Sequence, residues 1–352
     1  MTLPEELLCI IFSFLSAYDI ILSISHVSTR WKNIVTSAPK QLATIVNPYV
    51  HDIAYTACRN RNFDTLKILS VFNLVYNPLM LENSCEHGHL EIVKWLTSHF
   101  NLSPEDARAN DNRALRESCA NGHLELAKWL TSHFNLSPED ARANDNFAFR
   151  WSCENGRLEI VQWLTSHFKL DFDNTHTKKI HKAFRWSCEH GHLEMVKWLA
   201  SYFNLSPEDA RADKNTAFRI SCGTGHLETA QWLTSHFNLT PEDARSCNNV
   251  ALRLSCLYNH LKVAHWLTSH FSLTPDDARA KDNYALRRSC EEGHLKAAQW
   301  LTTRFELTPD DARANKNDAL RLSCKNGHFE VAQWLITHFN LSDDLRVAPC
   351  FI

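Results

Sequence analysis

Glycine is scarce in this chain, with eight residues in 352. That excludes a Gly-rich phosphate loop, and no nucleophile elbow or isolated Cys/His pair marks an active site, so no enzymatic chemistry is expected. Charge of one sign is also lacking: the net charge is -3 with His neutral, whereas a nucleic-acid binder needs a basic face. No segment alternates apolar and polar residues with period two, so no sheet is expected. Long hydrophobic runs are confined to Leu7–Ile24. That run contains Asp19, which costs roughly 2.5–3.5 kcal/mol at mid-bilayer. It is preceded by Glu5 and Glu6 and by no Lys or Arg, unlike a signal peptide. No membrane contact is expected. The remaining composition is globular, 44% hydrophobic and 22% charged, and a protein partner is the default.

What is abundant is repetition. Cys85, Cys119, Cys153, Cys188, Cys222, Cys256, Cys290 and Cys324 follow one another at intervals of 34 residues, with a single interval of 35. A tryptophan stands ten residues after each: Trp95, Trp129, Trp163, Trp198, Trp232, Trp266, Trp300 and Trp334. Cys58 opens a shorter, degenerate copy with Ile68 in the tryptophan slot, making nine copies. A period of this length means stacked units that cannot bury their apolar faces alone.

Each copy reads as helices. In residues 103–136, Ser103 is a helix N-cap, Pro104 a first helical residue, and Glu105 and Asp106 lie at the positive end of the dipole. This short segment is expected to end near Asn110. Asn112 then caps a helix to about Ala120, stopped by Gly122 in a left-handed conformation. The same slot holds Gly in seven of the eight strong copies and Asn259 in the other. A third helix is expected over Leu124–Phe134, with Leu124, Ala127, Leu130 and Phe134 on one face and Trp129 beside them. The tryptophans are expected to form a buried spine, each contributing roughly 4–6 kcal/mol gross as an upper bound.

Twelve cysteines and twenty histidines invite a zinc reading, since Cys85, His87 and His89 form Cys-x-His-x-His, as do Cys188, His190 and His192. The middle position in the other strong copies is Asn121, Asn155, Thr224, Tyr258, Glu292 or Asn326, so neither a metal nor any cofactor is expected. Neighbouring helices stack ~8–10 Å apart, too far to bridge cysteines whose Cα atoms must lie within about 7 Å. The repeat cysteines are therefore read as small, buried and reduced, which suits the cytosol. Two arginine ladders remain. One is Arg116, Arg150, Arg185, Arg219, Arg253, Arg287 and Arg321; the other is Arg108, Arg142, Arg211, Arg245, Arg279 and Arg313, beside acidic pairs such as Asp276-Asp277. Ion pairs between repeats are the plain reading, and phosphate or phosphopeptide binding the sharper one.

The first 40 residues differ. Leu3, Leu7, Ile11 and Leu15 recur every four residues with Leu8 and Phe12 beside them; Ser16 and Asp19 restart a helix; Val27, Trp31, Ile34 and Val35 give a third apolar face. A three-helix unit this small usually needs a partner surface to be stable.

Two resemblances follow from these residues. Residues 114–130, ALRESCANGHLELAKWL, resemble the helix-turn-helix core of the ankyrin repeat, with Gly122-His123 as its Gly-His turn. The likeness runs over about 54–345, but Arg113-Ala114-Leu115-Arg116 replaces the usual Thr-Pro-Leu-His, and Ser-Pro-Glu-Asp-Ala-Arg replaces the β-hairpin segment. Residues Leu3-Pro4-Glu5-Glu6-Leu7-Leu8, Ile11-Phe12-Ser13-Phe14-Leu15, Asp19-Ile20, Val27-Ser28 and Arg30-Trp31 are similar to the F-box. Together they imply an all-α chain: an F-box-like three-helix module at 1–40, a linker at 41–53, an ankyrin-type α-solenoid of about nine repeats at 54–345, and a tail at 346–352.

The F-box resemblance implies binding to the Skp-type adaptor of a cullin-RING ubiquitin ligase, with Leu3, Pro4, Leu7, Leu8, Ile11, Phe12, Leu15 and Trp31 at or under that interface. The ankyrin resemblance implies that inner-helix residues line a concave face that holds an unidentified target. Slots that vary between copies are either free to recognise it or drifting; the candidates are Arg113, Phe147, Lys182, Glu189, His190, Tyr258, Tyr284 and Glu291. The irregular stretch at 169–182 is read as a bend, with a linker or a contact as alternatives. The combination resembles adaptors of large DNA viruses of protists and of their hosts. It implies a reducing cytoplasmic or nuclear setting, the host cytoplasm if the source is viral, and a monomer apart from the adaptor. The competing readings are a scaffold or decoy in which residues 1–40 merely cap the solenoid, and a metal or redox protein using the Cys/His series.

Overall fold

The structure, a computed structural model, describes residues 50–70, 74–170 and 177–341. The expected F-box-like module and C-terminal tail lie outside the described residues, as do 171–176, on which the expected bend depends. The chain divides into two units, one ending at Asp171 and one beginning at Phe172. Among the described residues all regular elements are helical and no strand forms.

The repeat is built from three helices. In the copy read above they are Pro104–Ala107, Ala109–Ala120 and Leu124–Phe134. The short helix starts as the sequence dictates. The Asp106 carboxylate accepts the Ser103 backbone N–H at 2.8 Å, and the Ser103 hydroxyl accepts the Asp106 N–H, closing a capping box. Ser137, Ser206, Thr240, Thr274 and Thr308 repeat it.

Within each unit the inner helices stack on one another. In the first, Val50–Arg59 packs on Pro78–Glu86, that on Ala109–Ala120, and that on Ala143–Glu154. In the second the order is Thr177–Glu189, Ala212–Gly223, Ser246–Leu257, Ala280–Glu291 and Ala314–Lys325. The core of a copy is small and regular: Ala114, Leu115 and Cys119 from the inner helix, and Leu126, Ala127, Leu130 and Phe134 from the outer one, are all buried.

The Gly-His turn needs glycine twice over. Gly225 sits at φ +87, where a side chain is strained, and a Cβ there would lie 2.5 Å from Nδ1 of His260 in the next copy. The histidine is the inter-repeat peg: His123 Nε2 lies 3.0 Å from the Glu86 carbonyl of the preceding copy.

The tryptophans depart from expectation. They are half-buried and do not form a sealed spine. Each projects from the outer helix toward solvent, and seven of the eight stack on the residue four positions later; Trp129–His133 and Trp232–His236 have ring centroids 4.6 and 4.4 Å apart, while Trp300 stacks on His265 of the preceding copy. The buried aromatic of the outer helix is the phenylalanine five positions after the tryptophan, such as Phe237 or Phe305, which meets the tryptophan edge-on. A helix turns about 100° per residue, so a bulky side chain one step off the core stripe can seal only one of its faces.

Candidate protein-docking face

The inner helix does not run straight out of the short helix. Asn110, Asp111 and Asn112 all take left-handed backbone angles, with φ of 51, 57 and 58. The same three-residue turn recurs at 144–146, 213–215, 247–249, 281–283 and 315–317. Such a turn costs about 1–2 kcal/mol per ordinary residue and less for Asn or Asp, which explains the Asn- and Asp-rich composition there. The ladder beginning at Arg116 holds it. Arg253 Nε donates to the Asn248 carbonyl at 2.8 Å and its Nη2 to the Cys247 carbonyl at 3.1 Å. Arg219 and Arg287 do the same for their own turns.

The other ladder ties one repeat to the next. Arg108, Arg211, Arg245 and Arg279 donate to Asp140, Asp243, Asp277 and Asp311, each the capping-box aspartate of the following copy, at 2.9–3.1 Å. The last residue of the left-handed turn joins them: Asn215, Asn249 and Asn283 donate to Asp243, Asp277 and Asp311. Burial alone would raise the Asp277 carboxyl. Hydrogen bonds from Arg245 and Thr274 outweigh it and hold the group below the usual carboxylate range. The ion-pair reading holds for these four arginines, whose guanidiniums are already occupied by carboxylates.

The variable slot at the start of the inner helix is coupled to the ladder of the preceding copy. Arg113 pairs with buried Glu82 at 3.2 Å. Arg116 lies over the Phe147 ring at 4.6 Å, and Arg253 over the Tyr284 ring at 4.7 Å. Arg287 pairs with Asp318 at 2.8 Å. Where the ladder slot carries an acid, the next variable slot carries a base. This signal was present in the sequence as a charge reversal between neighbouring copies.

The expected contact residues therefore differ in availability. Tyr258 is 58% exposed, and Lys182 and His190 are exposed. Lys182 rests over the Trp186 ring at 4.5 Å, and His190 Nδ1 lies 3.0 Å from the Trp186 carbonyl. Arg113, Phe147, Tyr284, Glu189 and Glu291 are half-buried, with Phe147 stacked on Trp151 and Glu291 paired to Arg288. The slot of Trp151 and Trp186 reads from the sequence as partly core, yet Trp151 is 38% exposed beside Phe147; sequence reasoning missed Ile220 and Leu254, half-exposed four residues after the variable slot.

No group of three metal-ligating side chains exists among the described residues. Burial raises the Cys58 and Cys256 thiols to about 12 and pushes the other buried thiols still higher, which leaves them unreactive. Cys324 is 9% exposed, where its counterparts in the other copies are sealed.

Stacked helical repeats with a solvent-facing inner surface define an all-helical repeat protein. A family model for ankyrin repeats matches three overlapping segments, 53–145, 115–209 and 184–277, over more than half of the chain, and the chain belongs to the ankyrin-repeat family. An F-box domain model matches residues 1–41. No curated protein matches the chain.

Proposed function

We propose that the chain is the substrate-recruiting subunit of a cullin-RING ubiquitin ligase. The observation that carries this reading is the presence of an F-box domain and ankyrin repeats in one chain. Modules of these two kinds generally mediate protein–protein interaction, F-boxes toward Skp-type adaptors and ankyrin repeats toward target proteins. Residues 1–40 would dock through Leu3, Pro4, Leu7, Leu8, Ile11, Phe12, Leu15 and Trp31, and the inner-helix faces of the repeats at 54–345 would hold the target. Tyr258, Lys182 and His190 are the most open of the target-facing residues. The mechanism is proximity: the adaptor raises the effective concentration of target beside the ubiquitin-carrying enzyme and performs no bond chemistry. Reconstitution with a Skp-type adaptor and a cullin tests it. The reading expects the three to co-elute as one complex; a folded chain that elutes alone sinks it and favours the scaffold or decoy.

A further inference from the structure

In the ladder that holds the left-handed turns, the second unit contains two arginines with no carboxylate partner among the described residues. Arg185 pairs with Asp213 and Arg287 with Asp318. Between them, Arg219 donates only to the carbonyls of Asp213 and Lys214 and to the Thr216 hydroxyl. Arg253 donates only to the carbonyls of Asn248 and Cys247 and lies over Tyr284. Both are half-buried, and among the described residues Nη1 of each makes no hydrogen bond and is not sealed from solvent. Burial lowers the pKa of Arg253, and among the described residues the neighbours opposing this are Tyr284 and Cys247, neither of them a carboxylate. The same two inner helices carry half-exposed Ile220, Leu254 and Val250, with exposed Tyr258 at the end of the second. Positive charge without a counter-charge, set in apolar surface, calls for an acid carried by an apolar chain.

The spacing narrows the partner. Adjacent inner helices repeat at ~8–10 Å. A polyproline-II chain has three residues per turn and rises ~3.1 Å per residue, so every third side chain returns to one face after about 9 Å. We infer that this face takes an extended, proline-compatible peptide of the target with an acidic residue at every third position, two of them seated on Nη1 of Arg219 and Arg253, and apolar residues between them on Ile220, Leu254 and Tyr258. The inference rests on the reading of the repeats as the target-binding part of the chain.

Labelled synthetic peptides repeating Glu-Pro-Leu, Lys-Pro-Leu, and a shuffled Glu/Pro/Leu sequence, titrated onto the full-length chain by fluorescence anisotropy, test it. The Glu-Pro-Leu peptide is expected to bind, about tenfold or more tighter than the other two, with affinity falling as salt rises. An Arg219→Gln, Arg253→Gln variant should lose that preference. Tyr258→Ala, which leaves the left-handed turns untouched, should also weaken binding and controls for misfolding. Equal binding of the lysine or shuffled peptide, or no binding of the glutamate peptide, overturns the inference. Lysine-peptide binding that Tyr258→Ala abolishes would leave the face a partner surface of different chemistry. Adaptor binding by residues 1–41 is read out separately, so the ligase reading does not fall with this one.

Discussion

Replacing Asp277 with alanine should unhinge one repeat boundary. The carboxylate is 6% exposed. It accepts the Thr274 N–H at 2.8 Å, the Thr274 hydroxyl at 3.1 Å, Arg245 Nε at 3.0 Å and Asn249 Nδ2 at 3.1 Å. Loss of a helix cap typically costs about 1 kcal/mol. The abandoned Asn249 amide adds about 1–3 kcal/mol, because its residue is 7% exposed and water does not easily replace the acceptor. Arg245 is a third exposed and can turn to solvent, so its share is discounted to about 1 kcal/mol or less. The sum is about 2–5 kcal/mol. Urea unfolding followed by far-ultraviolet circular dichroism would read it as a lower midpoint. Repeat arrays need not unfold in two states, so amide exchange across residues 246–291 should accompany it. Arg245→Ala alone should cost far less, because it leaves the cap and the asparagine contact in place. An Asp277→Ala loss below about 1 kcal/mol would refute the claim that this cluster joins the repeats.

Three further outcomes follow from the same geometry. Gly225→Ala should destabilise by about 1–3 kcal/mol, since its Cβ would meet His260 at 2.5 Å, whereas Gly327→Ala, at φ +79 with nothing within 4 Å, should cost about 1 kcal/mol; equal losses would show that the histidine peg is unimportant. Glu82→Arg and Arg113→Glu should each weaken the first unit, and the double swap should recover most of the loss in thermal melts if the 3.2 Å pair is what matters. Asp140, Asp243, Asp277 and Asp311 titrate below their ordinary value in the fold, so their contribution is complete above about pH 4 and is lost as the pH falls through their folded pKa values. His89 and His260 are also lowered, by burial, so loss should begin below about pH 6.5; flat stability from pH 7 to 3 would contradict both assignments.

The period, the helix identities and the glycine stops were legible because each depends on short-range chemistry: a Ser-Pro-x-Asp cap, an apolar stripe, a residue tolerant of positive φ. Leu124–Phe134 falls where the stripe puts it. The left-handed turn was not legible. Asn112 read as an N-cap, and nothing local says that three consecutive residues adopt φ near +55 with the carbonyl of the first held by an arginine six residues on. The tryptophans misled for a related reason. Invariance between copies was read as burial, but Trp129 is constrained by stacking on His133 while staying half-open. The variable slot misled in the opposite direction. Arg113, Phe147, Tyr284 and Asp318 looked unconstrained, yet each answers the side chain in the ladder slot one copy earlier. Pairing between copies carries that information, and reading each column separately hides it.

The adaptor reading is tested most directly by titrating purified full-length chain with a Skp-type adaptor, wild type against Leu7→Ala, Ile11→Ala, with circular dichroism confirming folded repeats in both. The account predicts micromolar or tighter binding by wild type and loss of binding in the variant. A folded wild-type chain that does not bind would contradict it and leave residues 1–40 as a cap on a scaffold.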